Sequence, residues 1–207
     1  GNGALSAKLA EKYTVLGIDA SPEMLRKAKQ DHPDIRFLCD DACGFSLEKK
    51  ADAIFSNAVF HWIENQDKLI ENIAENLKSG GELVFEFGGK GCADTVHQAL
   101  GKAFAEYGYE YRMDFNFRSI GEFAPLLEKH GLKVEYARLY DRPTPQNGEN
   151  GLQNWINMFV TSAFNGVAAR DKEQIIQRAA ELCRPLLFKN GVWYVDYVRL
   201  LMKAVKM

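Results

Sequence analysis

Apolar and polar residues change period repeatedly along this chain, and those changes outline its elements. Tyr13-Thr14-Val15-Leu16-Gly17-Ile18 is a short apolar run of the kind that fills a buried strand. Ala4 to about Lys12 before it and Pro22 to about Asp31 after it read as helices, the second with Ser21 placed to cap it and Pro22 at its first position. Ile35-Arg36-Phe37-Leu38 and Ala51 to Ser56 read as further strands. Between Gln66 and Lys78, the residues Leu69, Ile70, Ile73, Ala74 and Leu77 fall on one helical stripe that Gly80-Gly81 is expected to end, and Glu82 to Phe87 follows as a strand. Strands alternating with helices specify an α/β fold: a doubly wound, mostly parallel sheet with helices on both faces.

The second half of the chain adds elements of a different kind. Thr95 to Tyr107 is amphipathic, and Ser119-Ile120-Gly121-Glu122 is a capping box opening a helix that closes at Gly131. Lys133 to Asp141 reads as a strand. The prolines and glycine of Arg142-Pro143-Thr144-Pro145-Gln146-Asn147-Gly148 predict a turn-rich linker. Beyond it, Leu152, Trp155, Ile156, Phe159, Val160, Ala163 and Phe164 form one helical stripe, and a second helix covers about Lys172 to Leu187. Trp193 to Lys206 is expected to return to the sheet as an antiparallel edge strand. The organisation expected is a core over residues 1–143, a small helical lobe over 144–191 and a returning strand over 192–207.

Composition narrows the function. The chain is 46% hydrophobic and 26% charged, which is globular rather than disordered. Its 26 Lys and Arg against 28 Asp and Glu leave a net charge of −2 with no basic stripe, so nucleic acid is not an expected partner. No apolar run reaches the roughly 18 to 20 residues of a membrane helix. Cys39, Cys43, Cys92 and Cys183 are spaced neither as a disulfide framework nor as a metal site, so a reducing cytoplasm and no metal are expected.

Candidate chemistry collects where predicted strands end. Gly1-Asn2-Gly3 before a helix is a close-approach turn, where a ligand can meet backbone and helix N-terminus. Asp19 ends the strand before Ser21-Pro22, a position from which a carboxylate accepts hydrogen bonds from both hydroxyls of a ribose. Asp40-Asp41-Ala42 follows the next strand and can accept from an exocyclic amine such as that of adenine. Ser56-Asn57-Ala58-Val59-Phe60-His61-Trp62 crowds polar and aromatic groups at another strand end. There Asn57 can bind the amino-acid end of a cofactor, while His61 and Trp62 can line a substrate cavity.

Gly1-Asn2-Gly3, Gly17-Ile18-Asp19-Ala20-Ser21-Pro22-Glu23-Met24, Asp40-Asp41-Ala42, Ser56 to Trp62 and Leu77-Lys78-Ser79-Gly80-Gly81-Glu82-Leu83 occur in this order. Together they resemble the motifs of class I S-adenosylmethionine-dependent methyltransferases, Rossmann-like enzymes. Glu86 to Gly91 and Arg142 to Pro145 resemble the branch that contains trans-aconitate methyltransferase, although Cys92 stands where that branch usually has Asn. The resemblance implies that S-adenosylmethionine is the cofactor. It implies that Gly1 and Gly3 approach the methionine moiety, Asp19 and Ala20 the ribose, Met24, Asp41 and Ala42 the adenine, and Asn57 the sulfonium side. The family also places a strand before Gly1 that this sequence lacks, so a gap in the centre of the sheet and a longer native chain are expected.

The acceptor implied is a small molecule such as a carboxylic acid, since an ionised carboxylate needs no general base. For an alcohol, phenol or amine acceptor, His61 is the candidate base. Arg142 can pair with an anionic substrate and Trp155 can close an aromatic wall, each against a structural alternative as a surface ion pair or helix core. A monomer or homodimer is expected. A nicotinamide-dependent oxidoreductase and a catalytically silent cofactor-binding module remain as rival readings.

Overall fold

In the computed structural model, which describes residues 1–207, the strand-and-helix alternation is present with shifted boundaries. In chain order the elements are α1 (Ala4–Ala10), β1 (Leu16–Asp19), α2 (Pro22–Asp31), β2 (Arg36–Cys39), β3 (Ala51–Asn57), α3 (Gln66–Asn76) and β4 (Leu77–Gly88). Then follow α4 (Asp94–Glu106), α5 (Ile120–Lys129), β5 (Leu132–Gln146), α6 (Gly151–Phe159), α7 (Ala169–Leu187), β6 (Phe188–Lys189) and β7 (Val192–Lys206). The α3 helix stops at Asn76, short of the expected Gly80-Gly81 cap, because Leu77 is already extended and pairs with Ala51 of β3.

The sheet is divided. β1 and β2 form a two-stranded parallel unit, and β3-β4-β7-β5 form the larger one, with β6 attached to β7. No strand bridges the two units. β3 and β4 are parallel, whereas β7 runs antiparallel to both β4 and β5. The antiparallel strand therefore lies one place inside the sheet, and β5 forms the edge.

That edge position corrects the expected linker at Arg142–Gly148. Residues Arg142–Gln146 continue β5, with Pro143 opposite Asp196 and Pro145 opposite Tyr194. Prolines two residues apart turn their missing donors to the same side of a strand, and only an edge strand has a side that needs no donors.

Alternation along the strands sends apolar groups to two cores. Leu83, Phe85 and Phe87 of β4 face the same way as their partners Ala204, Met202 and Leu200 of β7, and pack against Leu69, Ile73, Phe123 and Leu127 of α3 and α5. Earlier on β7, Trp193 and Val195 face the other way, into a core made with α4, α6 and α7. Helices thus lie on both faces. The apolar stripe over 152–164 does not give a single helix, since α6 ends at Phe159 and Ser162–Phe164 form a separate 3₁₀ turn.

The stripe on α3 hides a second, polar row. Asn76 is buried; its Oδ1 accepts from Leu47 N at 2.8 Å, and its Nδ2 donates to Phe45 O at 3.1 Å and Asn72 O at 2.9 Å. Asn72, also buried, donates to Ala42 O at 3.1 Å. These amides tie the loop after β2 to a helix of the larger sheet. Asn76→Ala removes three hydrogen bonds and leaves backbone groups unsatisfied, so a loss of about 2–3 kcal/mol is expected in urea unfolding. The exposed neighbour change Glu75→Ala should stay within about 0.5 kcal/mol; equal effects would remove the polar tie from this account.

Candidate functional site

Gly3 enters α1 with φ of +84°, and a Cβ there would lie 2.8 Å from His32 and 3.1 Å from Phe37, so no side chain fits. Gly17 is equally confined, because a Cβ would meet the Phe37 ring at 2.5 Å. Phe37 of β2 thus packs on two bare glycine positions and brings the Gly1–Gly3 turn against the β1–β2 unit. Gly1 itself has open space around it. The amino group of Gly1 bonds one oxygen of Asp19, whose other oxygen accepts from Ser21 N at 2.8 Å. Ser21 in turn accepts from Met24 N and caps α2, leaving Met24 exposed beside the strand tip.

Asp40 and Asp41 follow β2 as expected, in a turn that their own carboxylates hold: Asp40 accepts from Asp41 N at 2.9 Å and Asp41 from Cys43 N at 2.7 Å. Cys43 Sγ donates to Asn65 O, 3.7 Å away, just ahead of α3. This contact fixes the carboxyl end of β2 on the same side as the carboxyl end of β3. The structure accordingly brings Gly3, Asp19, Ala20 and Met24 together on one unit. Asp41 and Ala42 sit in the loop docked on α3, and Asn57 is exposed at the tip of β3.

After Asn57 the chain turns sharply. Ala58 takes the left-handed conformation at φ 58°, which costs a non-glycine residue roughly 1–2 kcal/mol. Its N–H donates to Glu86 O at 2.7 Å, which offsets part of this. The turn delivers Phe60–Trp62 as a 3₁₀ segment, with Phe60 anchored between Phe85, Phe87 and Phe123.

His61 does not face solvent as a base would. It is 7% exposed, and its Nδ1 accepts from Gly88 N–H at 3.2 Å. With that lone pair engaged, the proton of the neutral ring sits on Nε2, so no ring nitrogen is free to take another. Burial, and then the nearby Arg199, push its pKa down to about 4. The expectation of a His61 base is corrected on these grounds. Trp62, by contrast, is 48% exposed and meets Phe115 edge-on at 4.6 Å, as a wall of an open site can.

Two further expectations change. Arg142 donates to Glu86 Oε1 at 2.8 Å, and Tyr140 OH donates to Glu86 Oε2 at 2.5 Å, so the guanidinium is committed to a surface pair on the sheet. Trp155 is buried in the lobe core, with Nε1 donating to Tyr197 OH at 2.5 Å. It is the helix core rather than an open wall.

The segment between α4 and α5, a linker rich in aromatics and charge, adds site residues that sequence reasoning did not name. Phe115 and Phe117 stack there at 5.2 Å between centroids, and both rings lie against His61 and also against His97. Gln66 holds this segment: its Nε2 donates to Phe60 O and Asn116 O, and its Oε1 accepts from Arg118. His97 is buried, with Nδ1 2.6 Å from Tyr111 OH, and burial pushes its pKa down to about 4 as well. Aromatic residues at alternate positions, Phe115 and Phe117, were the available signal. No group of three or more His, Cys, Asp or Glu is arranged to hold a metal, the four cysteines are unpaired, and no helix is long and apolar enough to cross a membrane.

Comparisons with known proteins agree with this geometry. Residues 1–85 match the methyltransferase-domain family. Over 97 residues the chain is 37% identical to malonyl-[acyl-carrier protein] O-methyltransferase 1 of Ilyobacter polytropus, covering 44% of this chain and 36% of that one. It is 36% identical over 90 residues to trans-aconitate 2-methyltransferase of Deinococcus radiodurans, covering 42% and 34%. An uncharacterized methyltransferase of Schizosaccharomyces pombe is 27% identical over 228 residues, covering 100% of this chain and 84% of its own length. Among solved structures, the YcgJ protein of Bacillus subtilis gives a TM-score of 0.67 at 16% identity, covering 100% and 88%. N-methyltransferase NodS of Bradyrhizobium japonicum, solved with S-adenosyl-L-homocysteine, gives 0.52 at 15%, covering 99% and 73%. The first 85 residues are thus similar to the methyltransferase-domain family, and the fold of the chain is that of solved structures such as YcgJ and NodS. The chain spans about a third of the length of the first two relatives.

Both buried histidines resist protonation in the folded chain, whereas an unfolded histidine titrates near 6.5. The unfolded state therefore binds more protons between pH 6.5 and 4, and stability, complete above pH 6.5, falls as pH falls through that window. Each ring contributes up to about 3 kcal/mol across it. His97→Gln should flatten the dependence of melting temperature on pH there, and profiles parallel to the parent's would contradict the burial argument.

Proposed function

We propose that this protein is an S-adenosylmethionine-dependent methyltransferase acting on a small molecule, with a carboxylate as the acceptor group. The observation that carries the reading is the convergence of a bare glycine turn and the Asp19 carboxylate, with the Asp41 loop held to the same side of the sheet by α3. The residues present fit that cofactor. Gly3 brings bare backbone to the turn, Asp19 and Asp41 offer carboxylate oxygens to hydroxyl and amine donors, and Met24 offers an exposed apolar surface. Asn57, at the next strand tip, offers amide groups towards the methionine end.

S-adenosylmethionine held there would supply a methyl group on a positively charged sulfur, and an ionised carboxylate acceptor would ask no proton transfer of the chain. The chain's task is then alignment and exclusion of water, worth several kcal/mol of the barrier. Trp62, Phe115 and Phe117 supply the apolar wall, and the α6–α7 lobe closes that end. The absence of a free base at His61 fits an acceptor that is already ionised. The names of the trans-aconitate and malonyl-[acyl-carrier protein] methyltransferases, whose acceptors bear carboxylates, support the same class. Four unpaired cysteines support a reducing, cytoplasmic setting, and the near-neutral charge supports a small-molecule acceptor, handled by a monomer or homodimer.

Asp19→Ala should weaken S-adenosylhomocysteine binding by about 1.5–3 kcal/mol, roughly 10- to 150-fold, in isothermal titration. Undiminished affinity would take Asp19 out of the site, and the absence of any binding by the parent chain would take the methyl donor out of the function.

A further inference from the structure

We propose that His61 orients the methyl acceptor as a hydrogen-bond donor, its Nε2–H holding one oxygen of the acceptor's carboxylate and leaving the other oxygen unengaged; this rests on the methyl-transfer reading above. The backbone sets the donor. Gly88 N–H donates to His61 Nδ1 at 3.2 Å, and a backbone amide nitrogen cannot accept in return, so the single proton of the neutral ring stays on Nε2. Neither partner has room to change its part. Phe117 covers Gly88 so closely that a Cβ there would come within 2.5 Å of the ring, and His61 O accepts from Asn116 N at 2.8 Å.

That proton is not used within the chain. Nδ1 makes the one hydrogen bond of the ring, and no protein group accepts from Nε2. The buried side-chain atoms left without a partner are His97 Nε2, Gln153 Oε1, Asp196 Oδ1 and Arg199 Nε. His61 Nε2 is not among them, so this atom keeps contact with the space outside the protein, although His61 as a whole is only 7% exposed. With Nδ1 turned onto β4, Nε2 is directed away from that strand. The rings of Trp62, Phe115 and Phe117, with centroids 5.5, 5.8 and 5.7 Å from that of His61, flank the imidazole there, and Trp62 opens to solvent. A polar donor with no partner thus stands in an apolar wall at a strand tip, where ligands bind in open α/β sheets.

Chemistry favours a neutral donor in this place. A cationic partner makes stronger, often two-pronged bonds to a carboxylate and so engages both oxygens. A single neutral N–H orients the group through one of them. No proton changes hands, so the contribution of His61 is level across neutral pH. The rings packed on it, Phe87 of β4, Trp62, Phe115 and Phe117, carry no charge, and the cation that acts on it is Arg199 of β7. His97, which packs on the same two phenyl rings, is held neutral by burial as well.

The test uses the full chain. With histidine labelled in nitrogen-15, long-range proton–nitrogen spectra read the tautomer directly: His61 should show a protonated Nε2 and a bare Nδ1 from about pH 6 to 8, around the value near which a free imidazole titrates. S-adenosylhomocysteine release is then measured with a panel of aliphatic and aromatic carboxylic acids. For the best of them, kcat/KM should be level over that pH range, and His61→Leu, which keeps much of the volume without the donor, should lower it about 10- to 150-fold. His61→Gln, whose amide oxygen can accept from Gly88 and whose amide nitrogen can donate, should recover most of that loss. A general base could not be replaced in this way, and its rate would climb through about pH 6.5. Affinity for S-adenosylhomocysteine should stay within about twofold in both variants. An Nδ1–H tautomer, a rate that climbs through pH 6.5, a glutamine variant as weak as the leucine one, or no acid turned over while S-adenosylhomocysteine still binds would each overturn the proposal. If His61→Leu does not fold, the tautomer and the pH profile of the parent decide. Loss of S-adenosylhomocysteine binding by the parent chain would instead remove the methyl-transfer reading beneath it.

Discussion

The buried amides of α3 are the constraint on which the arrangement depends. Gln66 at its start holds the Phe60–Trp62 turn and the Asn116–Arg118 segment, while Asn72 and Asn76 further along hold the loop that bears Asp41 and Ala42. Each of these side chains is almost fully withdrawn from water. Buried amides tolerate little displacement, because every lost bond leaves a desolvated group without a partner. One helix thereby fixes the Asp41 loop and the aromatic side of the candidate site relative to each other.

The two sides are built from different materials. The glycine-turn side depends on absent side chains: Gly3 and Gly17 let Phe37 press close, and Asp19 ends the strand that Gly17 belongs to. The aromatic side depends on large ones, with Phe115 and Phe117 inserted between two histidines whose rings are neutral. A neutral aromatic lining favours burial of apolar surface, and the polar atoms it encloses then gain in strength through the low local dielectric.

Much of this was legible in the sequence, for reasons specific to each part. Elements that bury a regular stripe or carry their own cap were readable: α5 from Ser119 and Glu122, α2 from Ser21 and Pro22, α7 from its long repeat. Features decided by distant partners were not. Pro143 and Pro145 looked like breakers because nothing local reveals that their strand lies at an edge. Nothing local marks Asn72 and Asn76 as buried, since the loop that buries them belongs to another part of the chain. Among site candidates, the strand-tip residues Asp19, Asp41 and Asn57 sit where their local sequence placed them. His61, Arg142 and Trp155 have their availability set by Gly88, Glu86 and Tyr197, far away in sequence.

The division of the sheet bears on how firmly Asp19 is held. It rides on a two-stranded unit with four register pairs, and such a ribbon is marginal by itself. It is held by α2 and by the amide ties to α3, so those contacts decide whether it opens apart from the larger sheet. A nucleoside gripped there and across to β3 would draw its affinity partly from ordering that ribbon. Ligand occupancy and local folding would then be a single thermodynamically linked equilibrium.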